Sequence, residues 1–92
     1  MALVRCETSD GPRPGFTVIG IPSIAGHPEF LTIEDRFLVR QNGNYLLPVA
    51  VVGKDQRYGT ALIQLPLEAD SGANRVWVKA DALIPEADEV LA

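Results

Sequence analysis

Side chains that commonly build catalytic and metal centres are scarce in this chain of 92 residues. It contains one cysteine, Cys6, and one histidine, His27, so the soft ligands of a tetrahedral zinc site are lacking. Cys6 has no partner for an intramolecular disulfide, and no glycine-rich phosphate loop with its lysine is present. We therefore expect no metal ion, no cofactor and no catalytic residue. Cys6 is interpreted as a small buried hydrophobe and His27 as a loop residue.

Long apolar runs are also missing. The longest, Tyr45 to Gly53, is interrupted by Pro48 and is far shorter than the roughly 20 residues that a membrane-spanning helix needs. The N-terminal MALVRCETSD reaches Arg5 and Glu7 before any stretch typical of a signal peptide. The sequence therefore predicts no membrane contact and a cytoplasmic location.

Positive charge is in the minority. Eight Lys and Arg residues stand against 12 Asp and Glu, which gives an acidic chain with a net charge of −4. Affinity for nucleic acid comes largely from clustered cations, so this balance disfavours nucleic acid as a partner. A local basic patch stays open as an alternative, because four cations belong to one central segment: Arg36, Arg40, Lys54 and Arg57.

The acidic residues occur in small groups, such as Glu34-Asp35 and Glu68/Asp70. Paired carboxylates can act on sugars when they flank a cleft, but in a small domain with many turns they are interpreted as solvated turn residues. The length predicts one domain, residues 1–92, with a single core. Its acidic tail, residues 85–92, is expected either to form a short helical turn or to fray.

The most informative stretch runs from Arg36 to Leu65. Asn42-Gly43 lies between two apolar runs, and both residues tolerate the positive φ angles of a type I′ hairpin turn. We predict an antiparallel meander here, in which Phe37, Val39, Leu47 and Val49 have strand geometry. Pro48 lacks an N–H group, so it should lie at a bulge or face an open edge. The three predicted strands are Arg36–Gln41, Tyr45–Val52 and Thr60–Leu65.

Further strands are predicted where apolar and β-branched residues alternate with polar ones. They are Ala2–Glu7, Phe16–Ile21 with a bulge at Gly20, Glu29–Ile33, and Arg75–Lys79, in which Val76 and Val78 point inward. Segments rich in Gly, Pro, Ser and Asp are predicted as loops or turns: Ser9–Gly15, Pro22–Pro28, Lys54–Gly59 and Pro66–Asn74. A short 3₁₀ turn is expected near residues 80–83.

Five to seven short antiparallel strands with frequent Gly and Pro predict an all-β domain, either a small barrel or a compact sandwich. The segments EDRFLVR, YLLPVAVVG, YGTALIQLP and RVWVKADALI follow one another as the strands and closing 3₁₀ turn of a small barrel. Over residues 33–84 the chain resembles an SH3-like β-barrel. An OB-like barrel shares much of this pattern and remains an alternative.

The candidate binding residues surround the only tryptophan. If Val76 and Val78 point inward, Trp77 points outward between Arg75 and Lys79, where an aromatic flanked by cations suits a protein partner. The resemblance implies the same, because such an aromatic often belongs to the ligand groove of SH3-like domains. Tyr58, Asp70 and Asn74 complete the candidate set. In the alternative interpretation, Trp77 packs under the loop Leu67–Asn74.

These features favour a non-catalytic protein-interaction module whose partner is another protein or a second copy of the chain. A nucleic-acid- or ribosome-associated small barrel is the alternative, and would need the central arginines on one face with aromatics for stacking. A second alternative is an enzyme whose site is assembled between subunits, because one chain offers no convincing constellation.

Overall fold

The computed structural model describes residues 2–85 and has an all-β fold, as the sequence predicts. Within this range it contains nine short strands, more than the five to seven expected, and two 3₁₀ turns, Asp35–Phe37 and Ala80–Ala82. The strands are β1 (Ala2–Arg5), β2 (Glu7–Asp10), β3 (Phe16–Ile21), β4 (Glu29–Glu34), β5 (Val39–Gln41), β6 (Asn44–Asp55), β7 (Thr60–Gln64), β8 (Arg75–Lys79) and β9 (Leu83–Pro85).

The strands form two antiparallel sheets. One sheet has six strands in the order β8-β7-β6-β1-β9, with β5 paired to the start of β6. The other has three, in the order β2-β3-β4. No pairing among residues 2–85 joins the two sheets or the outer strands β8 and β9, so the described pairings do not close a barrel.

The two sheets pack on one apolar core. Strand alternation places every second side chain inward. The six-stranded sheet contributes Val, Ile and Leu to this layer, and the three-stranded sheet contributes Ile and Leu. Ala69, in the loop between β7 and β8, adds a small side chain at the same layer. The strand residues of the core are Val4, Ile19, Ile21, Leu31, Ile33, Leu47, Val49, Ile63, Val76 and Val78.

The predicted central hairpin is confirmed. Asn42 and Gly43 have φ angles of 53° and 81°, and Gln41 pairs with Asn44 on either side of them, as in a two-residue type I′ turn. The prediction of strand geometry at Phe37 is wrong, because Asp35–Phe37 forms a 3₁₀ turn and β5 begins at Val39. The turn is held by the Leu38 N–H, which donates to the Asp35 carbonyl at 3.0 Å.

Strand β6 runs through the six-stranded sheet and explains how Pro48 is tolerated. Pro48 lies opposite Leu3 of β1. On its other side β6 pairs with β5 up to Leu46 and with β7 from Ala50 onward, so no strand pairs with Pro48 there. On that side no neighbouring strand requires an N–H group from Pro48. The bulge of this strand lies at Val52, between the pairs Val51–Ile63 and Gly53–Leu62.

Two predictions, one of a loop and one of a bulge, are wrong in the three-stranded sheet. Ser9 and Asp10, expected in a loop, end the polar edge strand β2. Gly20 pairs in continuous register with both neighbours and makes no bulge. A Cβ at Gly20 would lie 3.0 Å from Cε1 of Phe30, so this glycine makes room for the Phe30 ring across the strand pair.

The C-terminal part of the fold agrees with prediction. Val76 and Val78 are buried in β8, whereas Arg75 and Lys79 are exposed. The 3₁₀ turn occupies Ala80–Ala82, and Leu83 packs against the core as β9 begins. Of the predicted acidic tail, Pro85 ends β9, and residues 86–92 lie outside the described residues.

We expect Gly43→Ala to lower the free energy of unfolding by about 1 kcal/mol, because an alanine at this positive φ is strained. Asn42→Gly is the matched control and should change stability by less than about 0.5 kcal/mol, since glycine accepts the same backbone angles. Urea unfolding measures both. Equal effects of the two substitutions would contradict the type I′ turn.

Candidate functional site

The candidate site lies on the face of the six-stranded sheet that points away from the core, which we call the outer face. In β8 this face carries Arg75, Trp77 and Lys79, because Val76 and Val78 occupy the inward positions. Trp77 is 39% exposed. The guanidinium of Arg75 donates to the side-chain oxygen of Gln64 on β7 at 3.4 Å, which ties its position to the sheet.

Trp77 does not stand alone on the outer face. It lies directly opposite Leu62 of β7, which in turn lies opposite Gly53 of β6. Gly53 has no side chain, so the backbone of β6 is uncovered next to the Leu62 side chain. Val52, the bulge residue next to it, is an exposed large hydrophobic side chain. Three neighbouring strands thus place Trp77, Leu62, Gly53 and Val52 together on the outer face, and we call these four residues the Trp77 patch.

Apolar residues also occupy the outer-face positions of β6, β1 and β9. Leu3 of β1 lies between Pro48 and Ile84, and Leu46 lies between Arg5 and Val39. Leu3 and Leu46 are buried, although neither belongs to the core cluster between the sheets. An antiparallel sheet at a protein surface usually turns a polar face to water. This sheet is apolar on both faces along much of β6.

Hydrogen bonding caps the free edge of β8. The Ile24 N–H, in the loop between β3 and β4, donates to the Trp77 carbonyl at 3.0 Å. This contact uses the acceptor that an added strand would need at the centre of β8. The outer face, rather than the β8 edge, is therefore the accessible surface at Trp77.

The other predicted site residues lie in different places. Tyr58 is in the turn between β6 and β7 and is 72% exposed. Asp70 and Asn74 belong to the loop between β7 and β8 and fix it through their backbones. The Asp70 N–H donates to the Phe30 carbonyl at 2.7 Å, and the Asn74 carbonyl accepts from the Leu65 N–H at 2.8 Å.

These contacts place the loop beside the three-stranded sheet. The same loop buries Ala69 in the core layer, on the opposite side of the sheet from the outer face. The structure therefore places Arg75, Trp77 and Lys79 on one strand face. Asp70 and Asn74 instead hold the loop between β7 and β8 in place through their backbone hydrogen bonds. That Trp77, Tyr58 and the rest bind a ligand stays a prediction.

Within residues 2–85, no cluster of three or more His, Cys, Asp or Glu side chains could hold a metal ion. Asp35 accepts a hydrogen bond from the Thr17 hydroxyl, and Glu34 pairs with Arg36 at 2.8 Å. The Cys6 thiol lies 3.5 Å from the Tyr45 carbonyl. Burial raises the pKa of Cys6 to about 11, which makes a reactive thiolate scarce near neutral pH.

Residues Leu62, Val52 and Ile24 were not singled out from the sequence. Strand alternation could have placed Leu62 on the Trp77 side of the sheet if the β7–β8 register had been known. Val52 depends on the bulge, and Ile24 acts through its backbone N–H. Neither has a local sequence signal.

Comparison with known proteins adds no relative: no family model matches the chain, nor does any curated protein or solved structure. In the part of the chain that the structure describes, no helix is long and apolar enough to cross a membrane.

Alkylation of Cys6 by iodoacetamide at pH 8 should be slow in the folded protein. A pKa raised from 9.0 to about 11 leaves about one hundredth of the usual thiolate. Because the raised pKa means that the folded state holds the thiol proton more tightly than the unfolded state, ionisation of Cys6 does not lower the free energy of unfolding below pH 9. As the pH rises from 9 toward 11, this ionisation lowers the free energy of unfolding progressively. Labelling measured by mass spectrometry, with urea-unfolded protein as the control, should be at least tenfold faster after unfolding. Equal rates would contradict the burial.

Proposed function

We propose that this protein is a non-catalytic protein-interaction module, and that the Trp77 patch binds a partner segment with apolar side chains flanked by acidic ones. The observation that carries the proposal is a partly exposed tryptophan aligned with Leu62 on the side of the sheet that the core does not use. Burying a tryptophan removes a large apolar area from water, and tryptophan is enriched among residues that dominate binding energy.

Charge supports an acidic partner. The strand residues of the outer face include three cations, Arg5, Arg75 and Lys79, and one anion, Asp55, in a chain whose net charge is −4. Asp55 accepts a hydrogen bond from the Arg57 N–H at 3.1 Å and so serves its own turn. Arg75 and Lys79 flank Trp77 along β8. Acidic side chains beside an apolar anchor would therefore meet cations on both sides of the tryptophan.

The same charges disfavour a second copy as the occupant. In a two-fold symmetric contact the same patch meets itself, so Arg75 and Lys79 of one copy would approach those of the other. Addition of a strand to β8 is disfavoured as well, because the Trp77 carbonyl already accepts from Ile24. A side-chain-mediated contact on the outer face avoids both costs.

Nucleic acid is less well supported than a protein partner. Two of the four cations of the alternative basic patch lie over aromatic rings: the guanidinium carbon of Arg36 is 4.6 Å from the Phe37 ring centroid, and that of Arg40 is 5.7 Å from the Tyr45 centroid. Arg36 also pairs with Glu34. Neither arginine shares the outer face of β8, where the tryptophan lies.

The proposal is tested by affinity capture from a lysate with wild-type protein beside Trp77→Ala and Phe30→Ala, with bound proteins and nucleic acid both identified. Phe30 is the matched control, an exposed aromatic on the other sheet. We expect a protein recovered by the wild type and Phe30→Ala but reduced at least about tenfold with Trp77→Ala, the loss typical of a central anchor.

Purified partner should then shift the fluorescence of Trp77, which is the only tryptophan and thus reports on this patch alone. Arg75→Glu or Lys79→Glu should slow association more at low than at high ionic strength. Equal recovery with Trp77→Ala would contradict the proposal. So would nucleic acid bound at low salt and released at moderate salt, or self-association abolished by Trp77→Ala.

A further inference from the structure

A second surface feature lies on the inward side of the six-stranded sheet, at the end away from the central hairpin. It is an open cleft of about 580 Å³, within the range of roughly 300–1,000 Å³ typical of small-molecule sites. Its apolar lining comes from four strands and one 3₁₀ turn of the described chain: Ala2, Val51, Ala61, Leu83 and Ala80.

Small side chains create the cleft. Ala2, Ala61 and Ala80 occupy positions where a larger apolar residue would fill the space, and Val51 and Leu83 pack against the margin of the core. The Ala80 N–H donates to the Gly59 carbonyl at 2.8 Å, which fixes the 3₁₀ turn Ala80–Ala82 beside the turn between β6 and β7. The cleft therefore has walls held by backbone hydrogen bonds.

A lysine lines this apolar cleft because of the bulge in β6. Before the bulge, Val49 and Val51 occupy the inward positions, so regular alternation would place Gly53 inward and Lys54 outward. The extra residue at Val52 reverses the alternation: Gly53 lies opposite Leu62 on the outer face, and Lys54 lies opposite the buried Ala61. Bulges commonly re-aim a side chain in this way.

Among the described residues, two neutral polar side chains and one carboxylate line the cleft together with Lys54. Gln56 and Thr60 line the mouth of the cleft as neutral hydrogen-bonding groups. Asp55 also lines the cleft, and its carboxylate accepts a hydrogen bond from the Arg57 N–H at 3.1 Å. Among residues 2–85 no carboxylate forms an ion pair with Lys54, since the ion pair of this range joins Arg36 and Glu34.

We propose that this cleft binds a small amphipathic carboxylate, with its aliphatic chain on the alanine-lined floor and its carboxylate on the Lys54 ammonium. The apolar lining removes the chain from water, and a charge-assisted hydrogen bond orients the acid. The cleft is a site separate from the Trp77 patch: Ala61 and Trp77 lie on opposite sides of the same sheet.

Octanoate is the probe, titrated into the full chain while amide shifts are followed by ¹⁵N NMR. We expect saturable shifts at Val51, Ala61 and Leu83, and weaker binding of octan-1-ol, which lacks the charge. Lys54→Gln should weaken octanoate binding at least about fivefold and bring it close to that of octan-1-ol. Ala80→Phe, at an exposed position in the lining of the cleft, should block both probes.

Lys79→Gln removes a lysine from the outer face and is the matched control, expected to leave octanoate affinity within twofold. The proposal is overturned if octanoate shifts no amide of the cleft, if Lys54→Gln binds it as tightly as the wild type, or if the largest shifts surround Trp77. Because this readout needs no partner protein, failure of octanoate binding does not bear on the proposal for the Trp77 patch. Failure to recover a protein partner likewise does not bear on the proposal for the cleft.

Discussion

The pairing of β6 is the constraint on which the six-stranded sheet depends. This one strand of 12 residues pairs with β1 on one side and with β5 and then β7 on the other. Its register therefore decides which side chains of its neighbours face the core. β6 carries apolar residues on both faces: Leu47 and Val49 pack in the core between the sheets, and Leu46 on the other face is buried as well. Both candidate sites follow from this two-sided strand.

The bulge at Val52 links those two sites. One extra residue moves Gly53 to the outer face and Lys54 to the inner face. On the outer face, the glycine leaves space beside Leu62 and Trp77. On the inner face, the lysine meets an apolar cleft. Without the extra residue, Val52 would lie opposite Leu62 and Gly53 opposite Ala61, and Lys54 would lie opposite Thr60 on the outer face.

Local signals in the sequence were sufficient for much of the fold. Asn42-Gly43 specifies its turn by backbone angles alone, and the alternation in Arg75–Lys79 fixes the outward position of Trp77. The failures arose where tertiary contacts decide. Ser9 and Asp10 form a strand because β3 offers an edge, and Phe37 turns because the loop contacts of Asp35 hold it there. The cleft depends on strands far apart in sequence and could not be read from any local pattern.

The hydrogen bond between Ile24 and Trp77 joins the two sheets outside their shared core. Ile24 belongs to the connection between β3 and β4, whereas Trp77 is the central residue of β8. The Ile24 amide can exchange its hydrogen with solvent only when this contact opens. A partner that holds β8 in place at Trp77 should therefore slow hydrogen exchange at Ile24. The connection between β3 and β4 would then report on binding at the six-stranded sheet.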